Sequence, residues 1–365
     1  MTALSDLPTP ALVIDLDKLE ANIQRMAEKC NQLGVSLRPH IKTHKCVEIA
    51  RMQDEAGCQG LTVSTLHEAR VFADHGFEDL TWAFPVILNR LAEVRELSEK
   101  VTLRLVVDSA EAVDALEAEN HPFHVWLKID CGYHRAGVDP EGPLAETLAR
   151  RLAESAKLRF DGLLTHSGHA YQTDSLTALR QVAEQERSVM VDFAAHLRQE
   201  GIEVPGVSVG STPAMSAVES LEGVDEARPG NYVFYDFMQV DLGSCRVEDC
   251  AVTVVASVVS SQPNASHCVV DAGALALSKD AGPSNHEPSS MGEIFDDYVA
   301  GYLSPGLRFR SLSQEHGIAS LTLPVGSRVR ILPNHSCLTV ACFDEYAVVR
   351  GEEVVDRWQI WRGRS

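Results

Sequence analysis

The chain has 365 residues, 45% of them hydrophobic and 23% charged, with a formal net charge of −20. This is the composition of a soluble globular protein long enough for one large domain and one smaller one. The negative balance argues against nucleic-acid backbones and anionic membranes as partners, while a small anion can still bind in a local basic pocket.

No apolar run approaches the ~20 residues that span a bilayer. Met1 to Pro10 has neither a basic n-region nor an apolar h-region, so no signal peptide is expected. Nine scattered cysteines without a CxxC pair read as reduced thiols in a cytoplasmic protein.

In chain order, Pro10–Asp15 reads as an extra strand. Asp17 is expected to cap a helix over Lys18–Leu33, which Gly34 stops. From Leu37 to Gly230, short β-rich runs alternate with amphipathic helical runs. The expected strands are Leu37–Lys42, Gly60–Ser64, Asp79–Phe84, Thr102–Val107, His124–Ile129, Arg159–Thr165, Gly206–Gly210 and Glu226–Gly230. Helical spacing covers Leu66–Ala73, Arg90–Glu99, Glu111–Ala118, Leu144–Ala156 and Leu176–Gln199, and Gly57, Gly76 and Gly201 stand at helix C-caps. Eight strands, each followed by a helix, predict an α/β fold: a (β/α)8 barrel over residues 17–240. After Tyr235 the pattern changes. Ala251–Val259, His267–Asp271, Ser327–Ile331, Thr339–Phe343 and Glu345–Arg350 are alternating or β-branched runs separated by turn residues. They predict a mainly antiparallel β-domain made of residues 1–16 and 241–365, with Ser278–Tyr302 as a long loop.

The active site of such a barrel lies at the C-terminal ends of its strands. Those positions hold Lys42-Thr43-His44, Ser64, Asp108, Asp130 to Arg135, His166 to Tyr171, Ser211-Thr212 and Gly230-Asn231. A strand-end lysine forms an imine with a cofactor aldehyde when desolvation and nearby cations lower its pKa. An isolated lysine is more often simply solvated. Lys42 falls at the strand end, while Lys45, its competitor, should lie at the start of the next helix. Ser211, Thr212 and the Pro213 helix start suit a phosphate, and Gly230-Asn231 offers a second close backbone approach. Either turn alone could be plain structure. Arg135 can hold a cofactor ring oxygen or a substrate carboxylate, or make a loop salt bridge with Asp130. His166 suits ring stacking or proton transfer, and Tyr171 a phosphate contact. His335 and Cys337, at i and i+2 of an expected strand or extended turn, would face one side and could share a zinc ion. An HxC pair alone is a weak metal signal.

These residues, read together, resemble the metal-dependent fold-type III pyridoxal-phosphate (PLP) enzymes: D-serine dehydratase, D-threo-3-hydroxyaspartate dehydratase and D-threonine aldolase. The resemblance runs nearly end to end through TPALVIDLDKLEANI, RPHIKTHK, HRAGV, LTHSGHAY, VSVGSTPA, RPGNYVFYD, VDAG, QEHG and PNHSC. It implies a barrel of the alanine-racemase type with a β-domain, and a head-to-tail homodimer. It implies a PLP imine on Lys42 and PLP contacts at Tyr171, Thr212, Gly230 and Asn231. A divalent metal, Zn2+ or another such as Mn2+, is implied on His335 and Cys337. The family's aldolases usually carry His-Cys-Asp at the metal, and the His-Ser-Cys of this chain matches the dehydratases. The expected activity is therefore dehydration of a D-3-hydroxyamino acid, with Lys42, His166 and Arg135 in the chemistry. D-serine would give pyruvate and D-3-hydroxyaspartate oxaloacetate, each with ammonia. The runner-up is retro-aldol cleavage of D-threonine-like substrates to glycine and an aldehyde. A non-catalytic PLP-binding protein is disfavoured by the β-domain and the HxC pair, and a metal-free racemase would bind no metal.

Overall fold

A computed structural model describes residues 2–283 and 289–364. The chain divides into two compact units. One comprises Met26–Lys42, Ile49–Gly230 and Gly363–Ser365; the other comprises Met1–Arg25, Thr43–Glu48 and Asn231–Arg362.

The first unit holds eight parallel strands: Ser36–Leu37, Leu61–Val63, Asp79–Pro85, Thr102–Val107, His124–Lys128, Arg159–Leu164, Val207–Val209 and Glu226–Ala227. The last strand pairs with both the seventh and the first. A parallel bridge between His40 and Thr62 joins the first to the second, so the sheet closes into a barrel. The first strand is shorter than expected. Pro39 has no N–H to give to a ladder, and a 3-10 turn, Ile41–Thr43, follows. In the sixth strand Gly162 adopts φ +121°, and a Cβ there would lie 2.0 Å from the Gly206 carbonyl oxygen.

Alternation sends every second strand residue inward. The inner face carries charge near the N-terminal ends of the strands. There Asp79 receives Arg38 and Arg104, and Asp161 receives Arg104 and His124. An apolar layer of Val106, Trp126 and Leu164 lies above. Lys128, two residues beyond Trp126, opens a second charged layer at the C-terminal ends.

The helix Leu16–Leu33 starts earlier than predicted. Asp15, not Asp17, accepts the Lys18 N–H at 3.2 Å, and Asp17 pairs with Arg350. Gly34, Gly57, Gly76 and Gly201 all take positive φ after their helices, as expected. Among the described residues no helix is long and apolar enough to cross a membrane.

The second unit is built on Val252–Ser261. This strand pairs antiparallel with Ala11–Asp15, Cys268–Val270 and Arg328–Leu332. Through Gly317–Ala319, Tyr302–Leu312 and Glu293–Asp297 the pairing returns to Arg328–Leu332, so six strands close on themselves. On its other edge Ala11–Asp15 pairs parallel with Glu345–Arg350, which carries Glu353–Gln359. Leu7, Val13, Val255, Ala347 and Val349 pack as a core. The expected loop Ser278–Tyr302 contains the strand Glu293–Asp297, and its residues 284–288 lie outside the described ones. The expected strand Thr339–Phe343 is instead the end of a short helix, Ser336–Val340. Its β-branched residues suggested a strand. Asp236, however, accepts the Ser336 N–H at 2.9 Å, and Thr339 donates its hydroxyl to the Leu277 carbonyl at 3.1 Å.

Candidate active site

In the barrel unit, Lys42 sits in the turn after the first strand. Its charge bears on His166, together with those of Arg135, Lys128 and Arg228. Burial first, and then these four cations, hold the His166 ring well below the usual imidazole value, so it is neutral. Burial and the two arginines likewise push Lys128 down to about 8. The Arg228 guanidinium is fully enclosed, donates to the Ser208 hydroxyl and the Thr165 carbonyl, and is lowered by burial to about 10. Sequence reasoning missed both Lys128 and Arg228. Their signal was the period-2 alternation, which puts Lys128 on the same face as Trp126 at the last position before the Asp130 loop.

Asp130 accepts the N–H groups of Gly132 and His134, both at 3.0 Å, and pairs with the His134 ring at 2.8 Å. The Asp130–Arg135 bridge, the alternative role for Arg135, is not made. Arg135 lies over the Tyr133 ring, 4.9 Å from its centroid, and Asp108 anchors the loop through the Gly137 N–H at 3.0 Å. Tyr133 also meets His166 edge-on at 6.4 Å. Tyr171 lies in the 3-10 turn Gly168–Gln172.

Ser211 caps the helix Thr212–Ala217 by accepting the Ala214 N–H at 3.3 Å. Gly210 precedes it at φ +105°. One oxygen of Glu186, buried and unforeseen, accepts the N–H of Gly210 at 3.2 Å and of Ser167 at 2.8 Å. That carboxylate fixes the phosphate-suited turn against the segment that carries His166. Gly230 is buried at the end of the eighth strand's turn. An amine at a strand end, a surplus of cations and a glycine-led helix start are the groups that PLP requires.

In the other unit, the Asn231 carboxamide is held by protein groups. It donates to Asp236 at 2.7 Å and to the Ser336 hydroxyl at 2.8 Å, and lies 3.8 Å from Cys337 Sγ. His335 precedes the helix Ser336–Val340 with extended backbone. The pair therefore sits at a helix start rather than on a strand face, and its imidazole and thiol still come within hydrogen-bonding reach. Burial would lower the His335 pKa, but the Cys337 sulfur and Asp280 outweigh it and raise it to about 11. Asp280 meets His335 Nδ1 at 2.7 Å, which leaves Nε2 for a cation. Thr43 Oγ1 lies 3.2 Å from Cys337 Sγ. Among the described residues no group of three His, Cys, Asp or Glu side chains converges. A carboxylate-oriented imidazole beside a thiol fits a divalent metal with positions left for water or substrate. Asp236 and Asp280 were not foreseen, because Ser336 and His335, which they hold, lie 100 and 55 residues away in sequence.

The sequence matches two family descriptions: "Alanine racemase, N-terminal domain" over residues 14–236 and "Putative serine dehydratase domain" over residues 251–349. It is similar to D-threo-3-hydroxyaspartate dehydratase of Delftia sp. (strain HT23), at 39% identity over 99% of both chains. The solved structure of that protein superposes with a TM-score of 0.94 at 38% identity, covering 100% of both chains. A cysteine-to-alanine variant of it, described as metal-free, gives a TM-score of 0.93 at 37% identity over 100% of both chains. D-serine dehydratase of Dictyostelium discoideum is 34% identical over 96% of both. The structure of D-threonine aldolase from Filomicrobium marinum has a TM-score of 0.85 at 30% identity, covering 98% of this chain and 96% of that one.

Proposed function

As the chain belongs to the D-3-hydroxyaspartate and D-serine dehydratase family of fold-type III PLP enzymes, we propose that it is a lyase converting a D-3-hydroxyamino acid to a 2-oxo acid and ammonia. One observation carries this reading. A strand-end lysine among cations shares the chain with a His–Cys pair whose imidazole is already oriented by a carboxylate.

When bound, PLP supplies an electron sink for a carbanion at Cα, and a divalent cation supplies Lewis acidity at the β-hydroxyl. Lys42 is the residue to hold the cofactor covalently and to take the Cα proton. Ser211, Thr212 and Gly230 would hold the phosphate, with Tyr171 beside them, and Asn231 would contribute its backbone. Arg135 presents a guanidinium fork to a ring oxygen or a carboxylate. His166, kept neutral, offers an uncharged ring to stack or to accept a proton. His335 and Cys337 would hold the metal, and their imidazole–thiolate donor set suits zinc better than manganese. Loss of the Cα proton and the β-hydroxyl leaves an enamine, which takes up water to give the 2-oxo acid and ammonia. The nine cysteines, all present as thiols, support a reducing, cytoplasmic setting, and the likeness to the fold-type III enzymes supports a homodimer.

The test is product analysis over a panel of D-3-hydroxyamino acids. D-3-hydroxyaspartate or D-serine should release 2-oxo acid and ammonia in equal amounts. Glycine with an aldehyde as the dominant products would replace elimination by retro-aldol cleavage.

A further inference from the structure

We propose that Thr43 is a positioning residue for the metal thiolate, its hydroxyl donating to Cys337 Sγ and aiming that sulfur, beside His335, at a divalent cation. The inference rests on the reading of His335 and Cys337 as metal ligands.

The Thr43 side chain is fully buried, and its Oγ1 stands 3.2 Å from the sulfur. A ligating cysteine is deprotonated, so in the loaded site only the hydroxyl has a proton to give. Asn231 is a second hydrogen-bond donor near the sulfur. Its Nδ2 is farther away, at 3.8 Å, and already serves Asp236 and Ser336. Thr43 ends the one-turn 3-10 segment Ile41–Thr43, and its β-branched side chain has few rotamers, so the oxygen is held in place. Lys42 immediately precedes it. Outer-shell partners of this kind typically change metal affinity by roughly 10- to 100-fold.

The experiment uses the full-length holoenzyme, stripped of metal and titrated with Co2+. The readouts are the Co2+ dissociation constant and the thiolate-to-cobalt charge-transfer band, taken as a difference against zinc-loaded protein to cancel the cofactor absorbance. Thr43→Val keeps the shape and removes the donor. It should weaken Co2+ binding about tenfold or more and move the band to lower energy, because the sulfur lone pair loses a stabilising hydrogen bond. Thr43→Ser should retain both properties. If the valine variant does not fold, Thr43→Ala takes its place in the same comparison. Wild-type affinity and band position in the donor-less variant would overturn the proposal, as would a Thr43→Ser protein as impaired as Thr43→Val. A wild-type protein that binds Co2+ without any thiolate band, or not at all, would instead remove the metal reading beneath it.

Discussion

At the scale of single residues, the sharpest expectation concerns Lys42. Borohydride treatment of the yellow holoprotein should bleach it and leave a pyridoxyl adduct on the peptide carrying Lys42. An adduct on Lys45 would reassign the cofactor lysine. Lys45 does not lie in the helix that begins at Val47. It sits before it at φ 48°, its carbonyl accepting the Trp361 N–H at 2.7 Å. Lys128 leads to a prediction of a different kind. Its pKa is lowered to about 8 in the fold, against about 10.4 in an unfolded chain. The native state therefore sheds this proton first, and between about pH 8 and 10.4 the unfolded chain binds more protons. Stability must rise with pH across that window. In the apoprotein, urea midpoints should show wild type gaining about 2–3 kcal/mol relative to Lys128→Met over that range. A pH-independent difference would show that Lys128 is charged at no cost. Residues in short motifs, such as Lys42, Arg135, His335 and Cys337, were open to proposal from the sequence. Arg228, Glu186, Asp236 and Asp280 were not, because each acts through a partner that only folding brings near.

At the scale of elements, legibility follows the strength of the local period. The strand Thr102–Val107, the helix Leu176–Gln199 and the strand Glu345–Arg350 fall where alternation or helical spacing put them. The strand Tyr302–Leu312 was missed, since Pro305 and Gly306 interrupt its pattern and its ladders shift register. The helix Ser336–Val340 was misread because a distant carboxylate, not its own propensity, caps it. The sixth barrel strand carries a steric test. Gly162→Ala would drive a methyl group to 2.0 Å from the Gly206 oxygen, in a backbone region that L residues avoid. The variant should lose about 3 kcal/mol or more by thermal or urea unfolding, comparable to severe overpacking. A loss under about 1 kcal/mol would mean that the two strands separate easily there.

At the scale of the whole molecule, the order of segments in the chain does not follow their grouping in space. The β unit draws on Met1–Arg25 and Thr43–Glu48 as well as Asn231–Arg362. The expected division into 17–240 against 1–16 and 241–365 cuts across those contributions. Ala11–Asp15 supplies an interior strand flanked by Val252–Ser261 and Glu345–Arg350. A fragment comprising residues 241–365 would expose both of those strand edges and lack Leu7 and Val13 from the core. It should be insoluble or show no cooperative thermal transition by circular dichroism. A cooperative transition in that fragment would mean that the N-terminal strand is dispensable. Sequence periodicity names many of the strands but carries no information about which pairs meet across such separations.

The placement of Ala11–Asp15 also sets a schedule for biogenesis. Its partner Glu345–Arg350 lies roughly 330 residues downstream, so at a synthesis rate of about 5–20 residues per second the early strand waits some 15–70 seconds for it. Throughout that interval a nascent ribosome-bound chain displays an apolar ALVID edge with nothing beside it. Holding factors that shield such an edge until translation ends should raise the yield of folded protein, and slowing the ribosome should lower it.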